Sequence, residues 1–278
     1  MLVVMALGGD TRLRLVEAGR AIAGIAGEHV VVVTHSNGPH ARLLTKRTES
    51  DQSVLPITPG VNARILERVL KKEMPGRKIA SLVTDVEVRL VPVGPHYVDT
   101  PDGRGFVAAL GWMVVQDGAG FRRCISTREP QRIAQLETIN SQIEAGVLLI
   151  CAFGVGIAIE AKFGLTRGDV QIDEDLAAAL LAEQVRADLL MLLGNVDVER
   201  VEVDWRRGAA PPLGASTDDD LRRISFAPGL MGPKAEAACR FVESTGKRAA
   251  IGALAQAPEI LRGDRGVQVW GYGQAPHS

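Results

Sequence analysis

Six short apolar runs recur along the chain and alternate with amphipathic stretches. Each run is rich in Val, Leu and Ile without polar alternation, which is typical of strands buried on both faces of a parallel sheet. The runs are Leu2–Leu7, Val30–Thr34, Ile79–Thr84, Val147–Ala152, Leu189–Leu193 and Ala249–Leu254. Helical periodicity between them predicts helices over Arg12–Ala26, Val61–Glu73, Pro130–Ala145, Asp175–Val185 and Pro233–Thr245. Alternating strands and helices predict a layered α/β sandwich.

Two segments interrupt this alternation. Between Arg104 and Ile125 the turn-forming residues Asp117-Gly118-Ala119-Gly120 predict a β-hairpin. Between Trp205 and Asp220 the composition is that of a surface loop. Ser216 or Thr217 is expected to cap the helix that follows, because a hydroxyl there can accept a bond from a helix N–H group.

Composition excludes several classes of function. The chain has 278 residues, 32 basic against 33 acidic, and no basic cluster with interleaved aromatic residues, so we expect no nucleic-acid partner. Its three cysteines include no C-x-x-C pair, so neither a zinc site nor a disulfide framework is indicated. No apolar run approaches the ~20 residues that span a bilayer, and the apolar N-terminus is interpreted as a strand. We therefore expect a cytoplasmic protein without a membrane partner.

Four glycine-bearing turns follow the predicted strands. They are Leu7–Asp10, Thr34–His40, Phe153–Gly156 and Gly229–Lys234. The carboxyl ends of parallel strands gather such loops where ligands bind, and a lysine beside helix N–H groups favours phosphate. The sequence contains neither G-x-x-x-x-G-K-[ST] nor G-x-G-x-x-G with its acidic residue, which disfavours a P-loop NTPase and a Rossmann dehydrogenase.

The order of these turns resembles the amino acid kinase superfamily, and most closely the carbamate kinases. The resemblance extends from residue 2 to about residue 265. Its blocks are Ala6–Gly9, His35–Pro39, Thr84–Val88, Val93–Tyr97, Ile172–Leu176, Met231–Lys234, Glu236–Cys239 and Thr245–Gly252. It implies a three-layer αβα sandwich with a mainly parallel central sheet.

The resemblance also implies an organisation and a reaction. Residues 1–278 would form one domain, with an acceptor-binding lobe over about 1–150 and a nucleotide-binding lobe over about 151–278. The partners would be a small acid and a nucleotide, the cofactors ATP or ADP with Mg²⁺, and the assembly a homodimer. A phosphoryl group would move between the nucleotide and carbamate or a related acid, which requires cations and N–H donors around the shared charge.

The matching blocks carry the candidate site residues. On the resemblance, the catalytic candidates are Asp175, Lys234 and Asp10. The acceptor is expected at Gly8, Gly9, Asn37, Gly38, His40, Gly154, Gly156 and Glu174. The nucleotide is expected at Gly194, Asn195, Met231, Gly232 and Lys234, and no protein ligand to a metal is assigned.

Departures from the family pattern fall where the chemistry is expected. Glu174 and Val91 stand where the family has lysines, and Asp10 stands where it has asparagine. Three functions therefore remain open. The first is a carbamate kinase-like phosphotransferase, and the second a kinase-derived binding or regulatory subunit without phosphotransfer. The third is a non-kinase enzyme acting on a carbamoylated small molecule, with Asp10, His40 and Glu174 as acid–base groups.

Overall fold

A computed structural model describes most of the chain. The described residues are 1–8, 14–35, 57–99, 114–117, 120–160, 164–170, 172–194, 215–223 and 231–271. None of the helices within these ranges is both long enough and apolar enough to cross a membrane.

Eleven strands within the described residues form one sheet. They are β1 (Leu2–Leu7), β2 (Val30–His35), β3 (Ile79–Asp99), β4 (Val114–Asp117), β5 (Gly120–Ile133), β6 (Leu148–Glu160), β7 (Gly164–Val170), β8 (Leu189–Gly194), β9 (Ala215–Thr217), β10 (Arg248–Ala253) and β11 (Val267–Trp270). Their order is β4-β5-β3-β6-β2-β1-β8-β10-β11-β9, with β7 on β6. From β3 to β10 every neighbouring pair in this order is parallel, whereas β4, β5, β7 and β11 add antiparallel pairs.

Helices cover both faces of the sheet. They are α1 (Leu15–Ala26), α2 (Ile57–Glu73), α3 (Leu136–Glu144), α4 (Glu174–Gln184), α5 (Asp218–Arg223), α6 (Met231–Thr245) and α7 (Ala257–Arg262). Side chains alternate along β1, so Met5 packs in one core with α1, α2 and α7, while Val4 packs in another with α3 to α6. The predicted three-layer αβα sandwich with a mainly parallel sheet is confirmed.

The central strands lie where the apolar runs predict them, but β3 and β6 extend much further. β6 continues through Phe153–Gly156 to Glu160, so the predicted turn at Phe153–Gly156 is wrong. Thr84 of β3 lies opposite Phe153 and Val86 lies opposite Gly156, so β6 carries one extra residue between these two pairs. Such an extra residue is a β-bulge, which interrupts the ladder without ending the strand.

Two other boundaries also differ from the predictions. Residues Pro130–Ile133 belong to β5 and not to a helix, because Ile133 pairs with Val86 of β3; α3 begins only at Leu136. Residues Met231–Lys234 form the first turn of α6 and not a loop. Residues 224–230 lie outside the described part of the chain.

The predicted hairpin is confirmed, whereas the predicted loop is only partly correct. Asp117 of β4 pairs with Gly120 of β5. In the loop segment, Ala215–Thr217 form β9 and α5 begins at Asp218; residues 205–214 lie outside the described ranges. Thr217 caps α5 as predicted, since its Oγ1 accepts a hydrogen bond from the N–H of Asp220 at 3.1 Å.

A buried carboxylate connects α2 to β3. Glu67 is 6% exposed and accepts hydrogen bonds from Lys71 Nζ at 2.6 Å and Ser81 Oγ at 2.9 Å. Burial raises the pKa of Glu67, but the bonds from Lys71 and Ser81 and the charges of Lys71 and Arg64 outweigh that effect. The pKa of Glu67 therefore lies below its ordinary value of 4.5.

Candidate active site

A pocket opens at the carboxyl ends of β1 and β2, where the first turn of α4 approaches the sheet. The carboxyl ends of parallel strands share one edge of a sheet, which is where ligands bind in open α/β folds. The pocket is lined by Ala6, Leu7, Gly8, Thr34, His35, Phe153, Glu174 and Asp175.

The start of α4 is fixed by a capping residue. Asp173 has an extended backbone conformation and its Oδ1 accepts a hydrogen bond from the N–H of Leu176 at 3.0 Å. This satisfies one of the N–H groups that have no partner within the helix. Glu174 and Asp175 therefore lie in the first helical turn, where the helix dipole favours negative charge.

Lys234 reaches the same place from α6. Its residue is 6% exposed, and its Nζ donates a hydrogen bond to Asp175 Oδ1 at 2.6 Å. The side chains of the pair are 8% and 16% exposed, so both charges are largely removed from water. A lysine is rarely buried to this extent without a partner, which indicates that Asp175 holds the ammonium group in place.

Gly8 provides the space for that ammonium group. A Cβ atom on Gly8 would lie 3.1 Å from the carbonyl oxygen of Leu193 and 3.2 Å from Lys234 Nζ. A Cβ atom on Gly194 would lie 3.9 Å from Lys234 Cε, so Lys234 extends across the ends of both β1 and β8. The N–H of Gly8 donates to the carbonyl oxygen of Leu193 at 2.8 Å. A glycine suits this position because it has no side chain to occupy the space of the ammonium group.

The structure brings together part of the candidate set. Gly8, Glu174, Asp175, Gly194 and Lys234 lie around one pocket or beside its lysine. Met231 and Gly232 lie in the first turn of α6, just before Lys234, while Gly154 and Gly156 lie in β6 at the bulge beyond Phe153. The candidates outside the described residues are Gly9, Asp10, Asn37, Gly38, His40 and Asn195.

Two polar residues that line the pocket are not among the candidate site residues. Thr34 and His35 end β2, are 2% and 3% exposed, and line the pocket. Strand register carries the signal that could have found them, since Leu7 pairs with His35 and Ala6 with Thr34. Any residue at that level of β2 adjoins Gly8, whatever its type.

The structure describes the surroundings of two cysteines, Cys151 and Cys239, and both are buried. Cys151 is fully buried in β6, and burial raises the pKa of its thiol to about 12. Cys239 of α6 is 1% exposed, and burial likewise raises the pKa of its thiol to about 12. Thiols with such pKa values are almost entirely protonated at neutral pH and are inert as nucleophiles.

Comparison with known proteins decides the family. The sequence profile of the amino acid kinase family matches residues 1–253. The chain belongs to the amino acid kinase family. The carbamate kinase of Rhizobium meliloti (strain 1021) is 36% identical to it over 96% of this chain and 92% of that protein. The carbamate kinase of Haemophilus influenzae is 30% identical over 97% and 96%.

Solved structures agree on the fold of this kinase. A protein from Aeropyrum pernix K1 superposes with a TM-score of 0.80 at 27% identity, covering 98% of this chain and 100% of that one. The carbamate kinase of Giardia lamblia, solved with citric acid, gives 0.78 at 24% identity, covering 97% and 98%. The protein is therefore a carbamate kinase-like phosphotransferase for which a nucleotide is a substrate.

In the described part of the site, the buried Lys234 suits a kinase, whereas the carboxylate of Glu174 does not. A buried lysine at the ends of two strands suits a phosphate group, because Asp175 takes one of its three N–H donors. Glu174, however, places a second carboxylate at the pocket. Among the described residues, no group of three or more His, Cys, Asp or Glu side chains is arranged to hold a metal ion.

Proposed function

We propose that this kinase moves a phosphoryl group between ATP or ADP and carbamate or a closely related small acid. The observation that carries the proposal is the buried Lys234, held at 2.6 Å by Asp175 beside Gly8. Phosphoryl transfer develops charge on the oxygens of the moving group, and fixed cations in a site shielded from water stabilise that charge. The identity of 36% with a carbamate kinase over nearly the whole chain supports carbamate as the acceptor.

Each candidate site residue discussed below has a defined role in this proposal. Lys234 donates hydrogen bonds to the transferring phosphoryl group, and Asp175 keeps its ammonium oriented. Gly8 leaves room for the ammonium group, since an added Cβ would lie 3.2 Å from Nζ. Met231 and Gly232, at the N-terminus of α6, place helix N–H groups near the nucleotide. Mg²⁺ would enter with the nucleotide and offset the charge of its phosphates.

The proposal extends to lobes and assembly. The acceptor would bind to a lobe formed by about residues 1–150, and the nucleotide to a lobe formed by about residues 151–278. Two copies of the chain would form a homodimer. Exposed apolar side chains support the homodimer: Val61 and Ile65 are 52% and 43% exposed on one face of α2, and Val83 of β3 is 45% exposed. Val83 lies close to the start of α2, because a Cβ on Gly60 would lie 3.9 Å from Val83 Cγ2. The three exposed side chains therefore belong to one apolar surface.

A coupled assay tests the reaction. Purified protein is given carbamoyl phosphate, ADP and Mg²⁺, and ATP formation is followed through hexokinase and glucose-6-phosphate dehydrogenase. We expect steady turnover that Lys234→Met reduces by about 10²-fold or more, as for other removed electrostatic contacts. Turnover that is unchanged in Lys234→Met would exclude the role of Lys234. Absence of turnover with carbamoyl phosphate and with other acyl phosphates would exclude the reaction.

Glu174 favours a second candidate function, a kinase-derived protein that binds its ligands without phosphotransfer. Glu174 lines the pocket next to Asp175, so two carboxylates accompany one lysine among the described residues. At ~4 Å and an effective dielectric constant of ~20, reversing the sign of one phosphate contact changes its energy by several kcal/mol.

Calorimetry separates the two candidates. Titrations with ADP and with a non-hydrolysable ATP analogue are run with and without Mg²⁺. Binding without turnover supports the second candidate, and Glu174→Lys should then produce turnover. Binding accompanied by turnover in the unmodified protein supports the first.

A further inference from the structure

The meeting of Lys234 and Asp175 depends on how two helices are placed. Asp175 lies in the first turn of α4 and Lys234 in the first turn of α6. The helices pack directly against each other, and small residues such as Ala178 and Ala238 are buried in their common core. The position of Lys234 relative to Asp175 therefore depends on the tilt of one helix against the other.

The end of β5 contacts both helices. Glu129 forms an ion pair with Arg240 of α6. The N–H of Ile133 donates to Gln184 Oε1 of α4 at 3.1 Å, and Gln184 Nε2 donates to the carbonyl oxygen of Gln131 at 3.5 Å. One short stretch of a strand therefore holds the helix that carries Asp175 and the helix that carries Lys234.

These contacts lie far enough from the pocket to control the tilt of each helix. Arg240 follows Lys234 by about 9 Å along α6, and Gln184 follows Asp175 by about 13 Å along α4, at 1.5 Å per residue. Each helix thus has a contact with β5 that is well separated from the Lys234–Asp175 pair. A tilt of α6 by about 5° over that length would move Lys234 by about 0.8 Å, and misplacement by about 1 Å can cost 10²-fold in rate.

We propose that Arg240 is a positioning residue that fixes α6, and with it Lys234, through its ion pair with Glu129. The guanidinium group suits this task because its fork spans two carboxylates. Its Nη1 bonds Glu129 and its Nε bonds Glu236 Oε1 at 2.7 Å. A lysine offers one compact charge in place of the fork and reproduces such a bridge only in part.

The contact has a mechanical consequence for the site. β5 pairs with β3 and β4 in the hairpin of the proposed acceptor lobe. A shift of that hairpin is therefore transmitted to α6 through Glu129 and Arg240. The effect of Arg240 on turnover rests on the proposed function, whereas its effect on the Lys234–Asp175 pair does not.

Arg240→Met and Arg240→Lys test the proposal, with Arg222→Met as the matched control. Arg222 also bridges two carboxylates of α6, Glu236 at 2.7 Å and Glu243 at 2.8 Å, but reaches them from α5. We expect Arg240→Met to lower kcat by about 10- to 100-fold. Arg240→Lys should recover part of this loss, and Arg222→Met should stay within twofold of the unmodified enzyme.

A kcat for folded Arg240→Met within twofold of the unmodified enzyme would overturn the proposal. An unmodified protein without turnover would instead refute the proposed function, and urea unfolding then decides the role of Arg240. If Arg240 positions the ion pair, Asp175→Asn should shift the unfolding midpoint less in an Arg240→Met background than in the unmodified protein. Equal shifts in the two backgrounds would show that Arg240 does not act on the pair.

Discussion

Replacing Asp175 with Asn removes the counter-charge of Lys234 while keeping the size of the side chain. The charged atoms are 2.6 Å apart, which corresponds to an attraction of about 6 kcal/mol at an effective dielectric constant of ~20. Desolvation of both groups offsets part of this, and breaking a buried pair costs ~3–5 kcal/mol. Because the Asp175 side chain is 16% exposed and Asn can still accept a hydrogen bond, we expect the low end, about 3 kcal/mol.

A double-mutant cycle measures this loss by equilibrium urea unfolding, followed by circular dichroism and tryptophan fluorescence. Asp175→Asn should destabilise most, because it leaves an ammonium group buried without its anion. Lys234→Met should cost less, since the remaining carboxylate is the more exposed partner. The double variant should recover much of the loss, because neither member of the pair is left buried without the other.

An exposed ion pair supplies the control. Asp264 lies 2.8 Å from Arg262, with side chains 60% and 59% exposed, so Asp264→Asn should change stability by less than about 0.5 kcal/mol. The reasoning would be refuted if Asp175→Asn cost no more than Asp264→Asn. It would also be refuted if the effects of Asp175→Asn and Lys234→Met simply added.

Three further predictions concern Gly8, Glu67 and the two buried cysteines. Gly8→Ala should destabilise the fold by about 1–3 kcal/mol, because the new methyl group would lie 3.1–3.2 Å from its neighbours, and it should lower turnover by displacing the ammonium group. Glu67→Gln should cost about 1 kcal/mol or more at pH 7. Because the folded-state pKa of Glu67 is depressed below 4.5, this cost should shrink as the pH falls through that pKa. Cys151 and Cys239 should not react with a disulfide reagent at pH 8 until the protein unfolds, since their thiol pKa values are about 12.

Each of these three predictions has its own control. Gly24→Ala on α1, where an added Cβ meets nothing within 4 Å, should be neutral or stabilising. For Glu67, unfolding of both proteins from pH 7 to pH 3 should show the two stabilities converging, and a pH-independent difference would contradict the depressed pKa. Thiol titration is done in a Cys124→Ser background, where rapid labelling of the folded protein would contradict the burial of Cys151 and Cys239.

The centre of the fold could be predicted from the sequence because its strands are covered by helices on both faces. The predicted Leu2–Leu7 run coincides with β1, and Val30–Thr34 falls one residue short of β2. The extensions of β3 and β6 could not be predicted in this way. Beyond Thr84 the chain pairs antiparallel with β5, so its hydrogen bonds depend on partners as far apart in sequence as Val86 and Ile133.

In the candidate site too, residues in local sequence blocks could be predicted, whereas contacts between distant residues could not. Lys234 and Asp175 could be proposed because both fall in short blocks that resemble a family. The approach of Lys234 to Gly8 depends on how α6 packs against the sheet, and the place of His35 beside Gly8 depends on strand register. Neither is encoded in a local sequence pattern. The ion pair of Glu129 with Arg240 joins residues 111 positions apart and has no sequence signature of its own.

The position of β1 in the sheet has a consequence for biosynthesis. Val3 pairs with Val31 on one side and with Leu189 on the other, so β1 is a central strand whose two neighbours are far apart in the chain. During synthesis β2 can pair with one edge of β1 early. The strand that pairs with the other edge, β8, is made almost two hundred residues later. During that interval one edge of an apolar strand stays open, and open edges favour association between chains. Docking of Leu189–Leu193 onto that edge is therefore expected to be the slow step of folding and the point at which chaperones act.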